Sequence, residues 1–354
     1  MKMNEYVCAI TTQQDLARKL GVSQVSVSRA LRNQKGISER LRRRIMEEAE
    51  KAGYSVEATN FEARQMRNRA CGRRQRTNVI CATVTDEDDP FGFGGRLLRG
   101  IQRQAQDGGY EVIIVTRING ALPKIVMRRH VDGMARMLGD LEMASGVLPS
   151  PIPWVSVLYD VPGVDLVTVD NFASARELGR LLGQAGHRRV AFIGPDTHLA
   201  HERLAGLRAG LVEHGCTAPD DLVFMKRFAC NYEPARELLT NLFSRRCSPE
   251  GSAGFSAIAA YNDFMAELAV RFAREKGLTV PEDLSVTGFD GVLPSRLPET
   301  IPLTTAVLPI EEMGAAAVSL LLWRLDNPGA PRRKLVLDAP VRQGASVAQL
   351  PVHP

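Results

Sequence analysis

Four side chains in one short stretch, Gln24, Val25, Ser28 and Arg29, have the types and spacing to meet the base edges or phosphates of a nucleic acid. A glutamine amide can pair with adenine, an arginine guanidinium with guanine, and valine can touch only a thymine methyl or an apolar edge. Arg29 has a second chemistry open to it, a phosphate clamp, because half or more of protein–DNA hydrogen bonds go to the backbone. For Val25 the alternative is packing in a core. Other chemistries fail on spacing. His198 and His201, with His214 and Cys216 farther on, lack the tight four-ligand spacing of a zinc site. Gly-Phe-Gly-Gly at 92–95 follows a strand-like run, but a dinucleotide fingerprint would need glycine where Leu97 stands. With no P-loop and no G-x-S-x-G either, no catalytic residue, metal or cofactor is expected, and the chain does not read as an enzyme.

Base-reading side chains need small, rigid helices to carry them. From Thr11 to Tyr54 the pattern is helical three times over, with short polar breaks. The first helix opens at Thr12 with Asp15 three residues on, a capping box, carries Leu16 and Leu20 on one face and ends at Gly21. Val22 follows as a buried plug. Ser23 caps a second helix whose Val27, Ala30 and Leu31 face inward, and this spacing predicts a helix-turn-helix whose second helix enters the major groove by its N-terminal part. A third helix starts at Ser38 with an apolar stripe at Leu41, Ile45 and Ala49 and closes at Gly53. Arg40 and the run Arg42 to Arg44 crowd its first turns, placed for phosphates or water and not for bases.

Charge agrees with that placement. Residues 1–76 hold 17 Lys and Arg against 8 Asp and Glu, whereas the remainder holds 28 against 32, so a basic end sits on a mildly acidic body. Such a module suits a polyanion, because each neutralised phosphate releases counterions. A length of 354 residues points to two or three domains, and 44% hydrophobic with 24% charged residues is ordinary globular usage. Six scattered cysteines without a C-x-x-C pair read as reduced thiols. No apolar run reaches a membrane span and the start lacks the apolar stretch of a signal peptide, so a cytoplasmic protein without membrane contact is expected.

Residues 55–77 have few large apolar side chains and many arginines, and read as hinge and linker. Beyond them strand-like and helical segments alternate, with strands near 79–85, 111–116, 154–159, 190–193, 256–260 and 284–287. That alternation predicts parallel sheets covered by helices, and the run is long enough for two similar α/β lobes with a crossover near 167–171.

The segment TTQQDLARKLGVSQVSVSRALRN, Thr11 to Asn33, resembles the DNA-reading headpiece of the LacI/GalR family of bacterial regulators. Matches continue in family order: RLLRGI at 96–101, VDG at 131–133, VTVDN at 167–171, GHRRVAFIG at 186–194, ERLAG at 202–206, YND at 261–263, VPEDLSVTGFD at 280–290 and PLTT at 302–305. The resemblance implies an N-terminal all-α helix-turn-helix headpiece plus an α/β periplasmic-binding-protein-like core of two doubly wound parallel-sheet lobes. The expected division is a headpiece at 1–59, a hinge helix and linker at 60–77, and a core at 78–350. Within the core an N-lobe spans about 78–168 and 300–328, and a C-lobe about 169–299 and 329–350. The ligand is expected in the cleft between the lobes, as open parallel sheets bind beyond the carboxyl ends of their strands.

By the same resemblance Gln24, Val25 and Arg29 are the principal base readers, and Thr12, Ser26, Ser28 and Asn33 complete the headpiece contacts. NFEARQMR at 60–67 looks like the family's hinge helix, contributing Asn60, Ala63 and Met66, with Met66 where leucine is usual. An apolar wedge there kinks the duplex; the alternative is packing against a dimer mate. The connection between Tyr54 and Asn60 is longer than usual and lacks its proline. Arg203, Asn262 and Asp290 fall at ligand-contact positions, where a forked guanidinium and a carboxylate can bracket the hydroxyls of a sugar-like effector. Phe91 and Phe228 offer stacking faces, with core packing as the alternative, and Arg203 with Asp290 could equally be a structural ion pair. The aspartate usual near the end of the 154–159 strand is replaced by Leu158, unless Asp160 substitutes. The implied function is a repressor binding a pseudo-palindromic double-stranded operator. Dimerisation is expected because two-fold protein symmetry matches a palindrome, and no leucine heptad follows Ala339 to build a tetramer.

Overall fold

The computed structural model describes residues 13–31, 35–51, 76–83, 92–115, 122–137, 149–227, 232–246, 254–292 and 301–350. Contacts divide the chain into two units, Met1–Thr77 and Asn78–Pro354.

Among the described residues of the first unit three helices form: α1 (Gln13–Leu20), α2 (Gln24–Leu31) and α3 (Glu39–Lys51). Their shared core is Leu16, Ala17, Leu20, Val27, Ala30, Leu31, Ile45 and Ala49, with Val22, Ile37 and Leu41 packed at its edge. Gly21 adopts a left-handed φ of 62°, and the amides of Gly21 and Val22 donate back to Arg18 O and Ala17 O, the pattern that stops a helix and turns the chain. Ser23 Oγ then accepts from the Ser26 amide at 3.1 Å, and Ser38 Oγ from the Leu41 amide at 3.3 Å. Both caps are the serines expected from the sequence. The Thr12 cap, Gly53 and residues 55–75 of the hinge and linker lie outside the described residues.

The second unit holds two six-stranded sheets. The first joins β1 (Val79–Thr83), β2 (Glu111–Val115), β3 (Gly133–Met137), β4 (Trp154–Val157), β5 (Asp165–Val169) and β11 (Lys334–Leu337) in the order β11-β5-β4-β3-β1-β2, all parallel. The second joins β6 (Val190–Gly194), β7 (Val223–Met225), β8 (Ala257–Ala260), β9 (Ser285–Asp290), β10 (Thr304–Val307) and β12 (Val341–Arg342) in the order β12-β10-β9-β8-β6-β7. Only β12 runs antiparallel. Such sheets bury both faces, so β5, β6 and β8 are buried at every residue.

Among the described residues the α-helices of this unit are α4 (Phe93–Asp107), α5 (Lys124–Met127), α6 (Asn171–Gln184), α7 (His198–Val212), α8 (Tyr232–Arg246), α9 (Asp263–Glu275) and α10 (Ile310–Asp326). Three of them start just past the carboxyl end of a strand on a side-chain cap. Asp170 Oδ1 accepts from the Ala173 amide at 2.8 Å, Thr197 Oγ1 from Ala200 at 3.3 Å, and Asn262 Oδ1 from Met265 at 3.0 Å. These starts place the first turns of α6, α7 and α9 beside one another at one end of the second sheet.

The lobe boundaries differ from the expected ones. Thr304–Val307 pairs with β9 in the second sheet, Thr304 opposite Thr287, although 300–328 was assigned to the N-lobe. Lys334–Leu337 pairs with β5 in the first sheet, although 329–350 was assigned to the C-lobe. The chain therefore crosses between lobes after β5, after β10 and after β11. A short apolar strand is indifferent to which sheet it joins on pattern alone, and register decides it.

Close helix contacts in each lobe depend on glycine. A Cβ on Gly210 of α7 would lie 2.0 Å from Arg176 O, one on Gly206 2.2 Å from Phe172 O, and one on Gly179 of α6 2.3 Å from Leu207 O. Replacing Gly210 by Ala forces these backbones apart, and overpacking of this kind costs about 1–3 kcal/mol. The thermal midpoint of Gly210→Ala should fall by several degrees, while Gly329→Ala, whose added methyl meets nothing within 4 Å, should leave it unchanged. Equal midpoints by calorimetry would contradict the contact.

Candidate nucleic-acid interface and effector site

α2 divides its side chains cleanly. Val27, Ala30 and Leu31 go into the three-helix core, while Gln24, Val25 and Arg29 are exposed and Ser26 and Ser28 half-buried. Val25 is 59% exposed, so the packing alternative does not hold within the chain. Ser26 hydrogen-bonds Ser23 Oγ through its own hydroxyl at 2.9 Å as well as its amide, which commits it partly to the cap. The Arg29 guanidinium reaches across the turn, with Nη1 3.1 Å from where a Cβ would stand on Gly36. On α3, Arg40, Arg43 and Arg44 are exposed and Arg42 pairs with Glu39 at 3.4 Å. Lys19 to Glu48, at 2.9 Å, ties α1 to α3. Thr12, Asn33, Asn60, Ala63 and Met66 lie outside the described residues.

The second unit brings Arg203, Asn262 and Asp290 into one region at the carboxyl ends of β8 and β9. Arg203 on α7 is 3% exposed. Its Nε donates to Asn171 Oδ1 at 2.9 Å and its Nη1 to Tyr261 O at 2.6 Å, and its guanidinium lies 3.7 Å from the Phe289 ring centre and 4.4 Å from that of Tyr261. Asp290 Oδ1 stands 3.6 Å from Nη1, an ion-pair approach longer than a hydrogen bond. Asn262 commits one acceptor site of its side-chain oxygen to the α9 cap. Phe91 and Phe228 lie outside the described residues.

Several participants were not singled out from the sequence. Asn171 and Tyr261 sit inside the quoted motifs VTVDN and YND, as does Asp263, whose carboxylate accepts from Thr305 Oγ1 at 2.6 Å and from the Val292 amide at 2.8 Å. Burial pushes Asp263 up to about 6, against the Thr305 and Val292 hydrogen bonds and the Arg342 charge, which pull it down. Burial pushes Asp290 up to about 7, opposed by the charge of Arg203 and aided by that of Asp263. Backbone φ at Asp290 is 109°, in the left-handed half of the map that side chains other than glycine seldom occupy. The motif letters carry no sign of that conformation.

Asp160, the possible stand-in for the missing strand-end aspartate, pairs with Arg332 at 2.6 Å on the surface, while Leu158 is buried with φ 71°. Among the described residues no group of three or more His, Cys, Asp or Glu is disposed to hold a metal ion, and His201 pairs instead with Asp196 at 3.1 Å. No helix among the described residues is long and apolar enough to cross a membrane.

Comparison with known proteins bears on both units. The family profile described as bacterial regulatory proteins, lacI family, matches residues 12–56, and that of the periplasmic binding protein-like domain matches residues 180–347. The chain is 28% identical over 354 residues to the HTH-type transcriptional repressor CytR of Escherichia coli, covering 96% of this chain and 97% of the relative. A solved complex of the transcriptional regulator CelR with cellobiose has 24% identity and a TM-score of 0.64, covering 95% of this chain and 99% of that one. The lac repressor dimer bound to operator and an anti-inducer has 18% identity and a TM-score of 0.65, with the same coverage.

The raised Asp290 carboxyl has a consequence for stability. Between roughly pH 4, where an unfolded aspartate ionises, and pH 7 the folded state keeps a proton that the unfolded chain has released. The stability from this group is complete below that window and is lost as pH rises through it. Thermal midpoints of the wild type should therefore decline relative to those of Asp290→Asn from pH 4 to 8. Parallel pH profiles for the two proteins would refute it.

Proposed function

We propose that this chain, which matches the lacI-family and periplasmic binding protein-like profiles, is a LacI/GalR-type dimeric, sequence-specific repressor of a pseudo-palindromic operator, released or tightened by a small polar effector. The observation that carries this reading is the outward row Gln24, Val25 and Arg29 on a short helix whose opposite side is locked into a core. A helix held that way can enter the major groove by its first turns without unfolding its support. Ser28 joins the readers, Ser26 serves cap and contact together, and Thr12 and Asn33 complete the set. Asn60, Ala63 and Met66 act in the minor groove, with Met66 as the wedge. One headpiece reads too few bases for specificity, so two copies act on two half-sites.

For the effector, Arg203 and Asp290 are the bracketing pair and a sugar or similar polyol the chemical class. A carboxylate accepting and a guanidinium donating beside aromatic rings suit adjacent hydroxyls. The cellobiose bound by CelR, whose fold this chain shares, supports that choice. Asn262 contributes through the position of its helix more than through its capped oxygen. Phe91 and Phe228 are proposed as stacking faces. The headpiece is proposed to span 1–59, the hinge and linker 60–77 and the effector core 78–350. The protein acts in the cytoplasm, where its operator is.

Selection of bound duplexes from random DNA by the full-length protein should recover a palindrome. Arg29→Ala should relax the preference at one base pair in each half-site, at about 1–3 kcal/mol per lost contact. Uniform weakening across all sequences would assign Arg29 to phosphate, and no enrichment would overturn the function. In a thermal-shift screen of sugars, Asp290→Ala should lose any shift the wild type shows while keeping operator binding.

A further inference from the structure

We infer that Asp263 is a positioning residue of the effector site, whose carboxylate ties down the turn after β9 and so holds Asp290 toward Arg203. The consequence for ligand response rests on the effector reading above, whereas the geometry does not.

Asp263 is the first residue of α9 and is 4% exposed. Its two oxygens accept from two directions. Oδ1 takes the hydroxyl of Thr305 on β10 at 2.6 Å, and Oδ2 takes the Val292 amide at 2.8 Å, with the Gly291 amide also directed at the carboxylate. β9 leaves room for this, because a Cβ on Gly288 would stand 2.1 Å from Asp263 Oδ1. The carboxylate is thus walled by β9, bound to β10 and bonded to Val292 in the turn that follows Asp290.

Asp290 needs that support. Its φ of 109° persists only where surrounding contacts over-determine the backbone. Downstream, Asp263 fixes Gly291 and Val292; at Asp290 itself the carbonyl accepts from the Leu308 amide at 3.1 Å. The side chain so held faces Arg203 of α7, with Asp263 of α9 as the neighbouring like charge and Arg342 of β12 acting on Asp263. The same turn faces the other lobe, where Arg96 Nη1 of α4 lies 3.5 Å from Gly291 O. A residue that served only to start α9 would have no reason to engage both the turn and β10, since a helix-start carboxylate needs only the first-turn amides.

Hydrogen exchange of the full-length protein, read by mass spectrometry on peptides covering 286–292 and α9, tests the assignment. In Asp263→Ala no side-chain oxygen remains to accept from the turn, so exchange at Gly291 and Val292 should rise roughly ten-fold or more. Exchange within α9 should keep its wild-type rate because the Asn262 cap remains. Gly288→Ala, which displaces the carboxyl without removing it, should give the same local loss, and Arg96→Gln should not. A readout of charge separates positioning from packing. Comparing the pH profiles of thermal midpoint for Asp263→Asn with and without Asp290→Asn should show Asp290 titrating at lower pH than in the wild type, because a neighbouring negative charge is gone. Unchanged turn exchange in both Asp263→Ala and Gly288→Ala, or an unmoved Asp290 titration in Asp263→Asn, overturns the assignment. If Asp263→Ala does not fold, Gly288→Ala and Thr305→Val decide the exchange result alone, each expected to raise it. Failure of the effector reading would register separately, as sugar-dependent shifts that survive Asp290→Ala.

Discussion

A guanidinium that is almost wholly enclosed cannot shed its charge, so whatever surrounds Arg203 has to compensate it. Two aromatic rings, a carboxamide oxygen, a backbone carbonyl and a carboxylate do so together. They come from α6, the end of β8, and β9, and each is in place because the strand or helix carrying it ends at the same edge of the sheet. The carboxylate is the least settled of them. Burial pushes Asp290 up to about 7, even with Arg203 beside it. In the proposed complex a ligand hydroxyl donating to Asp290 favours the charged form, so effector binding and proton release are coupled at this one group.

That edge exists only because α6 and α7 approach backbone to backbone. Asn171, at the start of α6, reaches Arg203 on α7, and glycines at 179, 206 and 210 set the separation between the two helices. A wider spacing would pull the amide oxygen from Nε and leave a buried donor unsatisfied, a loss greater than that of the bond itself. Packing along the helices and polar chemistry at their ends are therefore one constraint, and the Gly-containing segment ERLAG encodes both the arginine and the spacing.

Much of this was legible because helix caps and apolar stripes are local. Ser23, Gly21 and the inward face of α2 follow from residues within one or two turns of each other, and the headpiece helices form where the pattern puts them. Strand β3 was not read, because Gly-Met-Ala-Arg-Met interrupts an apolar run with Arg136. That side chain is fully buried, stacked 5.0 Å from the Trp154 ring, and burial lowers it to about 10. Assignment of β10 and β11 to their sheets depends on pairing across long stretches of chain, which no short window contains. At the site, the letters of Tyr-Asn-Asp identified a ligand-facing asparagine by resemblance, whereas the fold spends its oxygen on a cap and gives the buried junction to the next residue, Asp263. Sequence spacing reports which residues are near one another along a helix; it does not report which of two adjacent polar residues turns inward.

The headpiece shows the opposite balance. Among its described residues the core holds eight buried side chains, while Val25 stands 59% exposed between Gln24 and the Ser26 cap. A polar residue there would solvate better and leave the core untouched. In the proposed operator complex a thymine methyl at the floor of a groove would remove Val25 from water while the neighbouring Gln24 amide and Arg29 guanidinium meet polar edges. The gain from one such helix is small and the phosphate attraction around it is indifferent to sequence. Discrimination therefore has to come from repeating the same weak reader at a fixed distance, which is what a two-fold assembly on a palindrome supplies.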